Sequence, residues 1–195
     1  MLIYIVRHGQ TMANKERILQ GWKDYPLIEN GRDAAAVAGQ KMRDIRFDEC
    51  ISSPLMRAKE TAQIILRESG NDIGIIEDAR LKEMNFGDYE MTSLDTTYEL
   101  KQFFEDPLSC DPFPNGENVR MVMKRTQEFL RELIARDDGK TYLVATHGCA
   151  LRAMLNFLYE DKNDYWHGQV PPNCCVNIIE AVGGKAKLIA EDMVW

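Results

Sequence analysis

Three groups able to bind or attack an anion stand directly behind apolar runs in this sequence. Arg7-His8-Gly9 follows Leu2-Ile3-Tyr4-Ile5-Val6, Ser52-Ser53-Pro54 with Arg57 follows a short run opening at Glu49, and His147-Gly148 follows the run opening at Thr141. Short β-branched runs read as strands, and in an open α/β sheet the carboxyl ends of parallel strands form the ligand crevice. Arg7, His8, Arg57 and His147 can therefore converge. Two arginines and two histidines gathered at one point repel one another unless an anion sits among them, so their natural ligand is a phosphate. Taken singly, Arg57 reads equally well as a solvated helix residue and His147 as a satisfied strand-end histidine. Their joint placement favours the anion.

The elements that must position these groups alternate. Strand-like runs recur at Leu2–Val6, Glu49–Ser52, Gly74–Glu77, Thr141–Thr146, Val176–Glu180 and Lys187–Val194. Segments of helical period lie between several of them: Gly31–Ile45, Leu55–Arg67 and Glu117–Arg136, the last with Asn115 available as a cap. Ser53 suits an N-cap and Pro54 a first helical position, which places Arg57 on the first turn. Helix starts near Ser53 and Gly148 would add donors and positive potential to the crevice. The pattern predicts a three-layer α/β/α sandwich with a mainly parallel sheet. Gly183-Gly184 between the last two runs is hairpin chemistry and implies an antiparallel edge strand. One domain over residues 1–195 is expected, with a lid-like excursion near 91–116 where Pro107, Pro112 and Pro114 interrupt the pattern.

Charge and composition exclude other classes. A net charge of −7 argues against nucleic acid as a partner. Only five apolar residues precede Arg7 and no later run is long enough to span a bilayer, so no membrane association and a cytoplasmic location are expected. The five cysteines are odd in number and lack C-x-x-C spacing, which suggests neither a disulfide framework nor a zinc site. Cys149, two residues after His147, is a second candidate nucleophile behind His8. His8, His147 and His167 are the only histidines and form no ligand pair, so no metal and no cofactor are expected. Assembly as a homodimer is left open.

With these residues in view, the chain resembles the histidine phosphatase superfamily, the phosphoglycerate mutase-like group, over most of its length. Arg7-His8-Gly9-Gln10-Thr11 continues to Asn14, Gln20-Gly21, Asp24, Pro26-Leu27 and Gly31, similar to the family's opening pattern. Ser52-Ser53-Pro54-Leu55 with Arg57-Ala58 and Thr61-Ala62, Leu81-Lys82-Glu83 before Phe86-Gly87, and Thr146-His147-Gly148 resemble its later signatures. Ile28 and Met91 depart from it, standing where the family often has Thr and Gly.

The resemblance implies that His8 carries phosphorus as a phosphohistidine and that Arg7, Arg57, His147 and Asn14 hold its oxygens, with Gln20, Gly21 and Gly148 around them. Glu83 would be the proton donor and acceptor, with Asp88 and Glu90 as competitors for that role. The expected activity is metal-independent hydrolysis of a small phosphorylated metabolite. A 2,3-bisphosphoglycerate-dependent mutase is the alternative, weakened because Lys101 is the one cation between Met91 and Asn118 against six carboxylates. A non-catalytic phosphate-binding module is the alternative of another class. Trp22, Tyr25, Met84, Phe86 and Tyr89 are candidates either for an apolar wall beside the leaving group or for loop-anchoring core.

Overall fold

The computed structural model describes residues 1–95 and 98–195. Six strands, β1 (Leu2–Arg7), β2 (Glu49–Ser52), β3 (Ile75–Glu77), β4 (Thr141–Thr146), β5 (Val176–Val182) and β6 (Lys185–Met193), form one sheet in the order β3-β2-β4-β1-β5-β6. The first four are parallel. β5 runs antiparallel to β1, and β6 turns back along β5, so the expected antiparallel edge is a two-strand hairpin.

Side chains alternate across a strand, and here the alternation sorts the core onto two faces. Ile3 and Ile5 of β1 and Tyr142 and Val144 of β4 pack under α5 (Val119–Ala135) and α6 (Gly148–Leu155). Val6, Leu143 and Ala145 point the other way, onto α2 (Glu29–Lys41) and α3 (Met56–Glu68). The result is the three-layer sandwich the sequence implies. A third apolar cluster joins Phe86, Phe103 and Phe113, all in edge-on contact, and fixes α4 (Tyr98–Glu105) over one end of the sheet. A single helical turn, α1 (Met12–Lys15), follows β1 and is capped by Thr11.

Several boundaries differ from the sequence reading. α5 is capped by Asn118, whose side chain accepts from the Met121 amide, and not by Asn115, which adopts a left-handed φ of 57° and binds Asp88. α3 begins after Leu55, so Ser53 and Pro54 lie ahead of the helix, although Arg57 remains in its first turn. Of the expected 91–116 excursion, Thr96 and Thr97 lie outside the described residues; the remainder holds α4 and a short 3₁₀ turn at Pro107–Ser109. Met91, standing where a glycine was expected, takes φ 69° and donates its amide to Leu19 at 2.7 Å. Among the described residues, no helix is long and apolar enough to cross a membrane.

Candidate active site

The carboxyl ends of β1, β2 and β4 open into a cleft of about 690 Å³. Arg7, His8, Asn14, Gln20, Gly21, Arg57, Glu83 and Gly148 all border it. His147 lies behind His8, fully buried, with its ring centre 5.2 Å from that of His8.

His8 Nδ1 lies 2.7 Å from the carbonyl oxygen of Gly9. Only an N–H can satisfy that acceptor, so the lone pair of a neutral ring resides on Nε2. Burial, and then the positive charges of Arg57 and Arg7, hold His8 well below the ordinary histidine value. His147 is lowered in the same way, by burial first and Arg57 second. Its Nε2 is 2.7 Å from the Ser53 hydroxyl, which itself accepts from the Leu55 amide at 3.3 Å. When the Ser53 hydroxyl donates its proton to Nε2, the neutral ring carries its N–H on Nδ1. Ser53 thus orients a histidine rather than capping a helix, a role its neighbour Pro54 disguised in the sequence.

Arg57 is aimed by backbone. Its Nη2 donates to the Gly21 carbonyl at 2.8 Å and its Nη1 to the Lys23 carbonyl at 2.9 Å, with Asp24 at 3.4 Å. Gly21 is required for this path: it sits at φ 54°, and a Cβ there would stand 2.1 Å from Glu90 Oε1. Glu90 in turn receives the Trp22 amide at 2.7 Å. Arg7 Nη1 donates to the Pro171 carbonyl. Asn14 Oδ1 accepts from the Thr11 amide and from Asn173 Nδ2, and among the described residues its own amide protons remain for a ligand. Gln20 accepts the Thr11 hydroxyl at 3.0 Å.

Among the described residues, Arg7 Nε, Arg57 Nε and His147 Nδ1 are buried and meet no hydrogen-bond partner. Buried donors without partners are costly unless a ligand accepts from them.

Glu83 faces this group from the start of α6. Its Oε1 accepts from the amides of Met84 at 2.9 Å and Ala150 at 3.0 Å, and its Oε2 from Cys149 at 3.2 Å. Arg125 fixes the loop that carries it, donating to the carbonyls of Arg80, Lys82 and Glu83 while paired with Glu117. Nothing in the sequence singles out Arg125, because an arginine on the polar side of an apolar-striped helix resembles a solvated residue. Asp88 and Glu90 are spent elsewhere, on Asn115 and on backbone amides, and neither borders the cleft. Cys149 does border it, but burial, reinforced by Glu83, pushes its thiol well above the ordinary value.

Of the five residues that could be either apolar wall or loop-anchoring core, Phe86 alone lines the cleft. Met84 is core, and Trp22 turns its indole N–H to the Glu83 carbonyl at 2.7 Å. The wall is made instead by Ile18, Leu19, Leu94, Phe104, Trp166 and Val170.

The model of the histidine phosphatase superfamily (branch 1) matches residues 3–191. The chain belongs to this superfamily. Among curated relatives, it is 37% identical over 163 residues to the 2,3-bisphosphoglycerate-dependent phosphoglycerate mutase of Parvibaculum lavamentivorans, covering 79% of this chain and 78% of that one. Among solved structures, Bacillus stearothermophilus YhfR superposes with a TM-score of 0.91 at 30% identity, covering 100% of this chain and 98% of that one. A phosphoserine phosphatase from Entamoeba histolytica superposes with a TM-score of 0.83 at 25% identity, covering 98% and 96%. Superfamily relatives of this chain thus bear the names of both mutases and phosphatases.

Proposed function

We propose that this superfamily member is a metal-independent phosphatase acting on small phosphate monoesters through a phosphohistidine at His8. The observation that carries the reading is the set of buried, unpartnered donors around a histidine whose Nε2 holds a lone pair. Nε2 attacks phosphorus, forming an N–P bond as the P–O bond to the leaving group breaks. Arg7, Arg57, His147 and Asn14 hold the equatorial oxygens while charge builds on them, the electrostatic contribution that dominates phosphoryl transfer. Glu83 gives the leaving alkoxide a proton and later takes one from the water that displaces His8 and frees phosphate. The apolar wall suits an alcohol with an apolar body.

The 37% identity to a curated mutase favours a second reading, phosphoglycerate interconversion. The cleft rim speaks for hydrolysis: Arg17 and Lys101 are matched there by Asp95 and Glu105, and Arg17 is already paired with Asp95 at 2.8 Å. A second phosphate would find no surplus of positive charge. Phosphorus NMR of 3-phosphoglycerate, with and without 2,3-bisphosphoglycerate, separates the two. Free phosphate or no reaction supports the phosphatase, whereas bisphosphate-stimulated formation of 2-phosphoglycerate establishes the mutase. Hydrolysis of an aryl phosphate in the presence of chelator, lost in His8→Ala, separates either enzyme from a non-catalytic phosphate-binding module.

A further inference from the structure

Arg152 of α6 is fully buried yet does not border the cleft. Its Nη1 donates to Glu191 at 2.9 Å and to the Tyr159 hydroxyl at 3.0 Å, and its Nη2 to Asp192 at 2.5 Å. Both carboxylates lie on the edge strand β6, where Asp192 adopts a left-handed φ of 45° and donates its amide to Asn177 at 3.1 Å. Two further hydrogen bonds, from Nε at 3.3 Å and from Nη2 at 3.0 Å, close on one backbone atom, the carbonyl oxygen of Gln169. A buried guanidinium is expensive to desolvate, and one neutralised by two carboxylates could be replaced by apolar packing without loss of stability. Its forked grip on a single carbonyl is what such packing could not supply.

That carbonyl begins the segment forming one wall of the phosphate site. Two residues on, the Pro171 carbonyl receives Arg7 Nη1. Asn173 then donates to the His8 carbonyl at 3.0 Å and to Asn14 Oδ1 at 3.4 Å, and the Cys174 amide donates to the Arg7 carbonyl at 3.1 Å. A displacement of residues 169–174 would therefore move Arg7 and Asn14 together.

We propose that Arg152 is a positioning residue that aims Arg7 at the phosphoryl group by clamping the 169–171 backbone against β6. The inference rests on the reading that Arg7 grips that group. Arg152→Lys keeps the charge facing Glu191 and Asp192 but cannot fork onto Gln169. Its kcat for an aryl phosphate should fall on the order of 10–100-fold, and inorganic phosphate should inhibit it more weakly by a similar factor, since misplacement by about an ångström costs up to 10²-fold.

The decisive measurement is a cycle with Arg7→Lys, because effects transmitted through one residue are not additive. The loss caused by Arg152→Lys should largely vanish in the Arg7→Lys background. Equal losses in both backgrounds, or unchanged kcat and phosphate inhibition in Arg152→Lys, would overturn the proposal. If Arg152→Lys does not fold, Asp192→Asn, which loosens the same clamp, takes its place in the cycle with the same two outcomes. Should Arg7→Lys alone leave kcat and phosphate inhibition intact, it is the role of Arg7 that fails, a result distinct from failure of the clamp.

Discussion

The Glu83 carboxylate and the Ala150 amide meet at 3.0 Å, tying the loop after residue 81 to the first turn of α6, the helix that His147 opens. The candidate acid and the second histidine are thereby set by one helix start, even though 64 positions separate them in the sequence, from 83 to 147. Movement of either side of the cleft is resisted by the same bonds. In the proposed mechanism the carboxyl group so held, once protonated, gives its proton to the oxygen that departs from phosphorus.

Glu83→Gln should therefore lower kcat on the order of 10²–10⁴-fold for an alkyl phosphate, whose leaving alkoxide needs a proton. An aryl phosphate with a good leaving group should still phosphorylate His8 at close to the original rate, read as the pre-steady-state burst of phenol. Equal losses on both substrates would assign Glu83 to binding alone.

Stability should fall as pH drops below the ordinary histidine value of 6.5. His8 and His147 are both lowered, by burial first and by Arg57 next, so in this window the unfolded chain binds protons that the folded chain does not. The linkage slope is then positive: stability is complete above the unfolded value and is lost as pH falls toward the folded ones. Thermal melts in phosphate-free buffer between about pH 7.5 and 5.5 check this, and His8→Asn should flatten the slope. A slope unchanged by that substitution would show that His8 titrates normally.

Met91 is a local conflict between residue and backbone. A left-handed residue other than glycine costs roughly 1–2 kcal/mol, while glycine gives back about 0.5–1 kcal/mol through its freer unfolded chain. Met91→Gly should thus stabilise the fold by about 0.5–1 kcal/mol, measurable by denaturant titration. Destabilisation would mean that the partly exposed methionine side chain contributes more by packing than its backbone strain removes.

How much of this was legible follows from the range of the interactions. β2 and β4 span Glu49–Ser52 and Thr141–Thr146 as read, because a β-branched apolar run is a local signal, and the positions of His8, Arg57 and His147 come directly from the strand ends. Asn115 and Asn118 offer the same capping chemistry three residues apart, and only the left-handed turn at Asn115 decides between them. Ser53 bonds to His147, 94 residues distant, and Arg125 to the Glu83 carbonyl, 42 residues distant. Neither partner leaves a mark on the neighbouring sequence. Most of the apolar wall is not legible in the sequence for the same reason: Phe104 and Trp166 stack on one another across the fold with ring centres 5.4 Å apart, and no spacing relates them.

The central claim is that His8, and no other side chain, carries the phosphoryl group. Rapid acid-minimised quench of the reaction with a labelled aryl phosphate, followed by peptide mapping, tests it directly. The expected result is about one phosphate per chain on His8, labile in acid, stable in alkali, and discharged by water on chase. Label on Cys149, or no covalent label despite steady turnover, would contradict the account.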